Sequence, residues 1–323
     1  MQRKDGFERF NIRNLSPTMV AQWDQAPATL ILKRVFGLRT KPNANMWRGD
    51  AVESGLQFFL YNRDKQDNVL NAKQHALDTF WHRADGVVDE ETEAAAELVP
   101  DMVEQAVLAV SDFPSPIMAT QLRVDQYFDG LPVPFIGNMD FVFEDGSIIE
   151  LKTTTRCPSS VENVSLVHKW QAGTYAKARE KTVNLLYVTA KKFATYPIEP
   201  EEPTLALMQR SAAAMNNALY AAEDGSALLN ALPLNADSFY WDDDAFEAYE
   251  RAMNGDLRPL VGPGTENLAA QGYVTFGKYS GKHISDLPTG YLDWLLEPKL
   301  SNGETFDVPI ELQDAIREMR EAA

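Results

Sequence analysis

The chain has 323 residues, 45% of them hydrophobic and 24% charged, and a formal net charge of −17. That length and apolar share suit one large globular domain or two ordinary ones with a real core, and the acidic balance argues against a protein that coats nucleic acid by bulk charge. No apolar run approaches the roughly 20 residues of a bilayer span, the Met1–Arg9 stretch lacks the apolar centre of a secretory signal, and the lone cysteine, Cys157, excludes an internal disulfide and suits a reducing cytoplasm.

Ser16-Pro17 predicts a helix start, and Pro27 predicts a second. Residues 45–62 predict an amphipathic helix with Val52, Leu56, Phe59 and Leu60 near one stripe. Within it, Arg48 either contacts a phosphate or pairs with Asp50. Residues 69–110 predict two helices broken at Gly86, the second with an acidic start that suits a helix N-terminus. Residues 117–128 alternate as a strand, with Gln121, Arg123 and Asp125 on one face.

The stretch from Val133 to Tyr175 carries the chemistry. Two apolar runs flank Glu144-Asp145-Gly146-Ser147, which predicts two strands joined by a tight turn. Asp140 falls in the first strand, and Glu150 and Lys152 in the second. Residues two apart on a strand share a face, so Glu150 and Lys152 point together and Leu151 points the other way. Charged groups on buried strands need partners. Two readings stand here. Lys152 forms an ordinary strand salt bridge with Glu150 or Asp140, or Asp140 and Glu150 hold a hard divalent cation through oxygen. Ser159-Ser160-Val161-Glu162 then predicts a capping box, and the helix it opens places His168, Gln171 and Tyr175 on one face. Residues 150–192 hold eight Lys/Arg against three Glu, whereas residues 85–104 hold eight acids and no base. That asymmetry suits an acidic exterior with a locally basic surface near the paired strands. Residues 183–190 predict a buried central strand.

Gly137-x-x-Asp140, then Glu150-x-Lys152, then Gln171-x-x-x-Tyr175 resembles the core of the PD-(D/E)xK nuclease superfamily, and of its RecB-like and phage exonuclease branch in particular. The resemblance covers about residues 11–190. It implies an α/β fold, a mixed central sheet flanked by helices (a restriction-endonuclease-like core), and hydrolysis of a DNA phosphodiester with Mg2+ or Mn2+. Asp140, Glu150 and the Leu151 carbonyl are the implied metal ligands, completed by Glu53, which matches an early-helix position in Arg-Gly-x-x-x-(His or Glu). Lys152 is implied to orient or deprotonate the attacking water, or to neutralise charge in the transition state. Gln171 and Tyr175 are implied to position the strand or the lysine. Arg156, His168 and Lys169 join Arg48 as expected phosphate contacts. Many relatives carry a Glu near Gln121, and this chain departs from them there. The Leu-Ser-Pro opening resembles relatives that continue into a Cys-Pro, but here Ala26 stands at the cysteine position, and one cysteine cannot build a four-cysteine iron–sulfur site.

Towards the C-terminus, residues 204–223 predict a long helix packed on the core, and Asp242-Asp-Asp predicts a helix cap rather than a metal site. Phe276 to Trp294 resembles a small module appended to some exonucleases and phage proteins. It predicts a glycine-bearing hairpin covered by a helix, and two readings stand: Lys278, Lys282 and His283 contact phosphate with Tyr279 as a stacking platform, or the module is a small structural cap with solvated lysines. The expected organisation is a nuclease core over 1–200, a helical extension over 201–265 and the accessory module over 266–323. The function implied is an exonuclease of recombination, repair or DNA degradation, cytoplasmic in a bacterium or phage-infected host. Its partners are DNA and a single-strand-annealing or recombination protein, with no membrane, and the assembly state stays open. Two alternatives remain: a nicking or structure-specific endonuclease, and a catalytically idle DNA-binding protein that keeps the fold.

Overall fold

The structure, a computed structural model, describes residues 5–111, 113, 115–298 and 308–321. In chain order the first helices are α1 (Gly6–Arg9), α2 (Pro17–Gln25), α3 (Pro27–Arg34), α4 (Ala44–Tyr61), α5 (Asn68–Ala84) and α6 (Glu90–Val110). Strands β1 (Ile117–Gln126), β2 (Phe135–Phe143) and β3 (Ile148–Thr153) follow, then α7 (Leu166–Arg179), β4 (Val183–Val188) and β5 (Phe193–Ile198). The chain continues through α8 (Leu205–Ala221), α9 (Gly225–Ala231), α10 (Asp243–Met253), α11 (Thr289–Leu296) and α12 (Ile310–Glu321). No helix among the described residues is long and apolar enough to cross a membrane.

The fold is α/β, a five-stranded mixed sheet flanked by helices. The strand order is β1-β2-β3-β4-β5, with every neighbouring pair antiparallel except β3 and β4. A parallel pair needs a crossover connection, and α7 lies within it. The β2–β3 connection is the tight turn the sequence predicts. Ser147 N–H donates to the Asp145 carboxylate at 2.8 Å, and Gly146 takes φ +86°, a left-handed conformation that favours glycine.

The sheet's two faces have separate cores. Phe141, Phe143, Ile149, Leu151, Leu186 and Val188 pack with α4, α5 and α6. Met139, Val142, Ile148, Leu185 and Tyr187 pack with Ala172, Tyr175 and Ala176 of α7. Along β3 the alternation holds, so the Leu151 side chain is buried on the α4–α6 face as expected.

Four expectations change. The capping box at 159–162 does not open α7. Asn163 donates to the Ser159 and Ser160 hydroxyls at 2.9 and 3.2 Å, and this closes a separate single 3-10 turn over Val161–Asn163 before α7 starts at Leu166. A fifth strand, β5, exists that the sequence reading does not predict. β5 pairs with β4 and includes Pro197, which an edge strand tolerates because it lacks one ladder donor. The hairpin expected near residue 276 reduces to an isolated bridge, Tyr273 with His283, around a 3-10 turn over Gly277–Tyr279, with a second 3-10 turn over Ile284–Asp286, and Gly272, Gly277 and Gly281 all take positive φ.

The partition also differs. One compact unit comprises residues 14–20 and 41–210, and so contains the sheet. The other comprises 1–13, 21–40 and 211–323. In the second unit Gly6 lies so close to α8 that a Cβ would stand 2.0 Å from the Asn216 carbonyl oxygen, and Arg9 donates to the carbonyls of Leu219, Tyr220 and Ala222. Asp242 caps α10, accepting from Ala245 N–H at 2.8 Å. Val274, Ile284, Leu292, Leu295, Leu312 and Ile316 form a small core within the 266–323 stretch, whose residues 299–307 lie outside the described set.

Candidate active site

The site begins where β2 and β3 part. Their ladder pairs Val142 with Ile148 and Phe141 with Ile149, and extends no further towards the C-terminal end of β3. The Leu151 N–H turns instead to the Asp140 side chain, donating to Oδ2 at 2.8 Å. The carboxylate thus takes the place of a backbone acceptor where the ladder ends.

β1 and β2 both change facing at the same rung. On β2, Met139 faces α7 while Phe141 faces α4–α6. On β1, Thr120 accepts from Gln57 of α4 at 3.0 Å, whereas Leu122 and Val124 pack on the α7 side. Residues two apart should share a face, and the departure falls on Gln121, whose φ is +51°. A non-glycine residue there costs on the order of 1–3 kcal/mol, and such outliers concentrate at functional sites. Gln121 Nε2 donates to Glu53 Oε1 of α4 at 2.5 Å and to Asp140 Oδ1 at 3.0 Å. It therefore joins two carboxylates that repel each other.

Glu150 is 1% exposed and Asp140 8%. Glu150 Oε1 accepts from Lys152 Nζ at 2.7 Å and from Gln171 Nε2 of α7 at 2.7 Å. Gln171 also donates to the Tyr175 hydroxyl at 3.1 Å. Among the described residues Glu150 Oε2 is buried with no hydrogen-bond partner. Burial lifts the Glu150 carboxyl to about 8, against the pull of Lys152 and with the help of Asp140. Burial and the Asp140 charge lift Glu53 to about 7, and burial raises Asp140. For Lys152, burial alone would lower the ammonium, but Glu150, Asp140 and Glu53 outweigh it and the net direction is up. In this arrangement Lys152 is a cation.

Tyr175 reaches the site because β2 offers a glycine. A Cβ on Gly137 would stand 2.4 Å from the Tyr175 hydroxyl and ring. Gly137→Ala is therefore expected to push Tyr175 off its seat, take from Gln171 its neighbour and destabilise the fold by about 1–3 kcal/mol through overpacking. Thermal melting checks this. An unchanged melting temperature would show that the ring does not need this seat.

The expected site residues Glu53, Asp140, Glu150, Leu151, Lys152, Gln171 and Tyr175 thus converge, from both faces of the sheet. The phosphate contacts fare differently. Arg156 is exposed just beyond β3. Lys169 donates to the Glu162 carbonyl at 3.3 Å. His168 Nδ1 lies 2.5 Å from the Tyr187 hydroxyl, and burial and Lys152 hold the ring at about 4, so it is neutral near pH 7. Arg48 does not pair with Asp50, which faces Arg83 at 3.4 Å. Lys278 and Lys282 sit over the Tyr279 ring, 4.8 and 6.0 Å from its centroid, in the unit that does not contain the sheet. Gln121, which the sequence marks only as a departure from the Glu of many relatives, is a site residue that the expected set leaves out. Its position opposite Asp140 on the neighbouring strand is the available signal.

Among the described residues no group of three or more His, Cys, Asp and Glu side chains is assembled to hold a metal ion. Gln121 and Lys152 engage the carboxylates instead. The donors nonetheless suit a hard cation when ionised, since they are carboxylate oxygens and one of them, Glu150 Oε2, is buried with no hydrogen-bond partner among the described residues.

No family model matches the chain, and no curated protein does. Among solved structures it is similar to one titled "Crystal structure of SSO0001", at 16% identity and a TM-score of 0.29, over 55% of this chain and 80% of that one. So weak a likeness carries no argument about function.

Proposed function

We propose that the chain is a metal-dependent deoxyribonuclease, acting as an exonuclease. One observation carries the reading. Glu150 is buried beside Asp140, spends one oxygen on Lys152 and Gln171, and presents the other with no partner. A buried acceptor without a donor is disfavoured in a purely structural role and suits a carboxylate that takes a cation.

Asp140, Glu150 and the Leu151 carbonyl would hold Mg2+ or Mn2+, with Glu53 joining once Gln121 releases it. When bound, such an ion activates water and stabilises charge on the phosphoryl group. The chain's own residues do the rest. Lys152 keeps one N–H on Glu150 and offers its other donors to the attacking water or to a phosphate oxygen. Gln171 and Tyr175 fix the Glu150 carboxylate from the α7 side, so that its free oxygen points the same way at each turnover. Asp140 spends Oδ2 on Leu151, which holds Oδ1 in a set direction.

Linear and closed-circular DNA, each incubated with Mg2+, Mn2+ or EDTA, test the proposal. Metal-dependent loss of linear DNA alone supports an exonuclease. Cutting of the closed circle replaces that reading with an endonuclease. DNA binding without cleavage under either metal leaves a binding protein.

A further inference from the structure

Arg48 is 7% exposed, on the turn of α4 between Ala44 and Val52, which both enter the core beneath the sheet. Its Nε is sealed from solvent with no hydrogen-bond partner among the described residues. The nearest acid in sequence, Asp50, is engaged by Arg83. Burial alone acts on the guanidinium, lowering it, with no carboxylate to compensate.

The fold does satisfy such groups elsewhere. Arg63 donates to the carbonyls of Val110, Phe113 and Ser115, and Arg9 to those of Leu219, Tyr220 and Ala222. Arg48 has no such set. An unpaired buried charge is costly, so an anion supplied from outside is the missing partner.

Its surroundings agree. The first turn of α4 carries no acid, so the positive end of the helix dipole is not offset by a side-chain charge. The next residue, Gly49, places α4 against β3, since a Cβ there would stand 3.6 Å from Thr153 Oγ1. Thr153 follows Lys152 directly. The guanidinium thus belongs to the turn of α4 that abuts the catalytic end of β3, and its planar fork matches a phosphate with two parallel N–H···O bonds.

We propose that Arg48 is a phosphate receptor that holds a phosphate of the nucleic-acid strand other than the one being cut. The proposal rests on the nuclease reading for the identity of the strand, but its test needs no cleavage. Wild type and Arg48→Met are melted in EDTA with and without inorganic phosphate. Each is then titrated with short oligonucleotides bearing a 5′-phosphate, a 3′-phosphate or only hydroxyl ends.

Met fills the volume without the charge, so Arg48→Met melts above wild type when no anion is present. Phosphate raises the melting temperature of wild type by a few degrees and leaves the variant unmoved. Oligonucleotide affinity falls about 10- to 100-fold in Arg48→Met, the size expected for charged hydrogen bonds, and less in Arg48→Lys, which keeps the charge but not the fork. A loss confined to one phosphorylated end assigns the receptor to that terminal phosphate. An equal loss on hydroxyl-ended strands assigns it to an internal diester. Equal responses to phosphate in both proteins, or unchanged affinity for all three oligonucleotides, overturn the proposal and make Arg48 a packing residue. A wild type that binds phosphate through Arg48 yet never cuts DNA would sink the nuclease reading alone.

Discussion

Lys152→Ala is expected to lower the rate of DNA cleavage by about 10²- to 10⁴-fold, the usual contribution of a positioned proton-transfer or charge-stabilising group. It should also destabilise the protein by about 3–5 kcal/mol near pH 8, the range for breaking a buried ion pair from one side. The Lys152 side chain is 18% exposed and Glu150 1%, and their 2.7 Å contact is the cationic bond that Glu150 makes among the described residues. Without it, Glu150 must take a proton or remain an uncompensated buried charge. The stability loss should therefore shrink towards pH 5, where protonation comes readily. Adding Glu150→Gln to Lys152→Ala should restore much of the stability and none of the activity, because the buried charge is gone while the chemistry stays absent. Urea unfolding at the two pH values, beside single-turnover cleavage, separates these effects. An equal stability loss at both pH values would show that Lys152 contributes packing rather than charge.

The second large effect concerns pH and metal. Glu150 is held at about 8 and Glu53 at about 7, both above an ordinary value of 4.5. Between about 4.5 and about 8 the native protein keeps protons that the unfolded chain has released. Stability of the metal-free protein is thus fully present below the lower value and falls as pH rises through the window. The melting temperature in EDTA should drop by several degrees from pH 5 to pH 8. Mg2+ or Mn2+ binds the ionised carboxylates and should offset the drop, stabilising more at pH 8 than at pH 5. A flat profile in EDTA, or one the metals leave unchanged, would separate these carboxylates from any cation.

The central elements are legible in the sequence because local rules govern them. The Asp145-Gly146 turn places β2 and β3, and a two-residue spacing places Glu150 and Lys152 on one face, where they bond at 2.7 Å. Pro17 and Pro27 mark α2 and α3, and apolar spacing marks α4. What escapes depends on long-range register. Gln121 enters the site only because it lies across from Asp140 at a rung where both strands change facing, and a strictly alternating pattern cannot contain that change. The start of α7 shifts because Asn163 and two serines close a turn of their own. In sequence Arg48 has a local partner in Asp50, but α5 brings Arg83 to that acid.

The most direct measurement is release of nucleotides from end-labelled linear duplex and single-stranded DNA with Mg2+, Mn2+ or EDTA, comparing wild type with Asp140→Ala and Lys152→Ala. If these residues form a nuclease centre, wild type releases nucleotides with metal and none in EDTA, and both variants lose that release while DNA binding persists. Tight DNA binding by wild type with no release under either metal would contradict the nuclease assignment. So would release that survives Asp140→Ala.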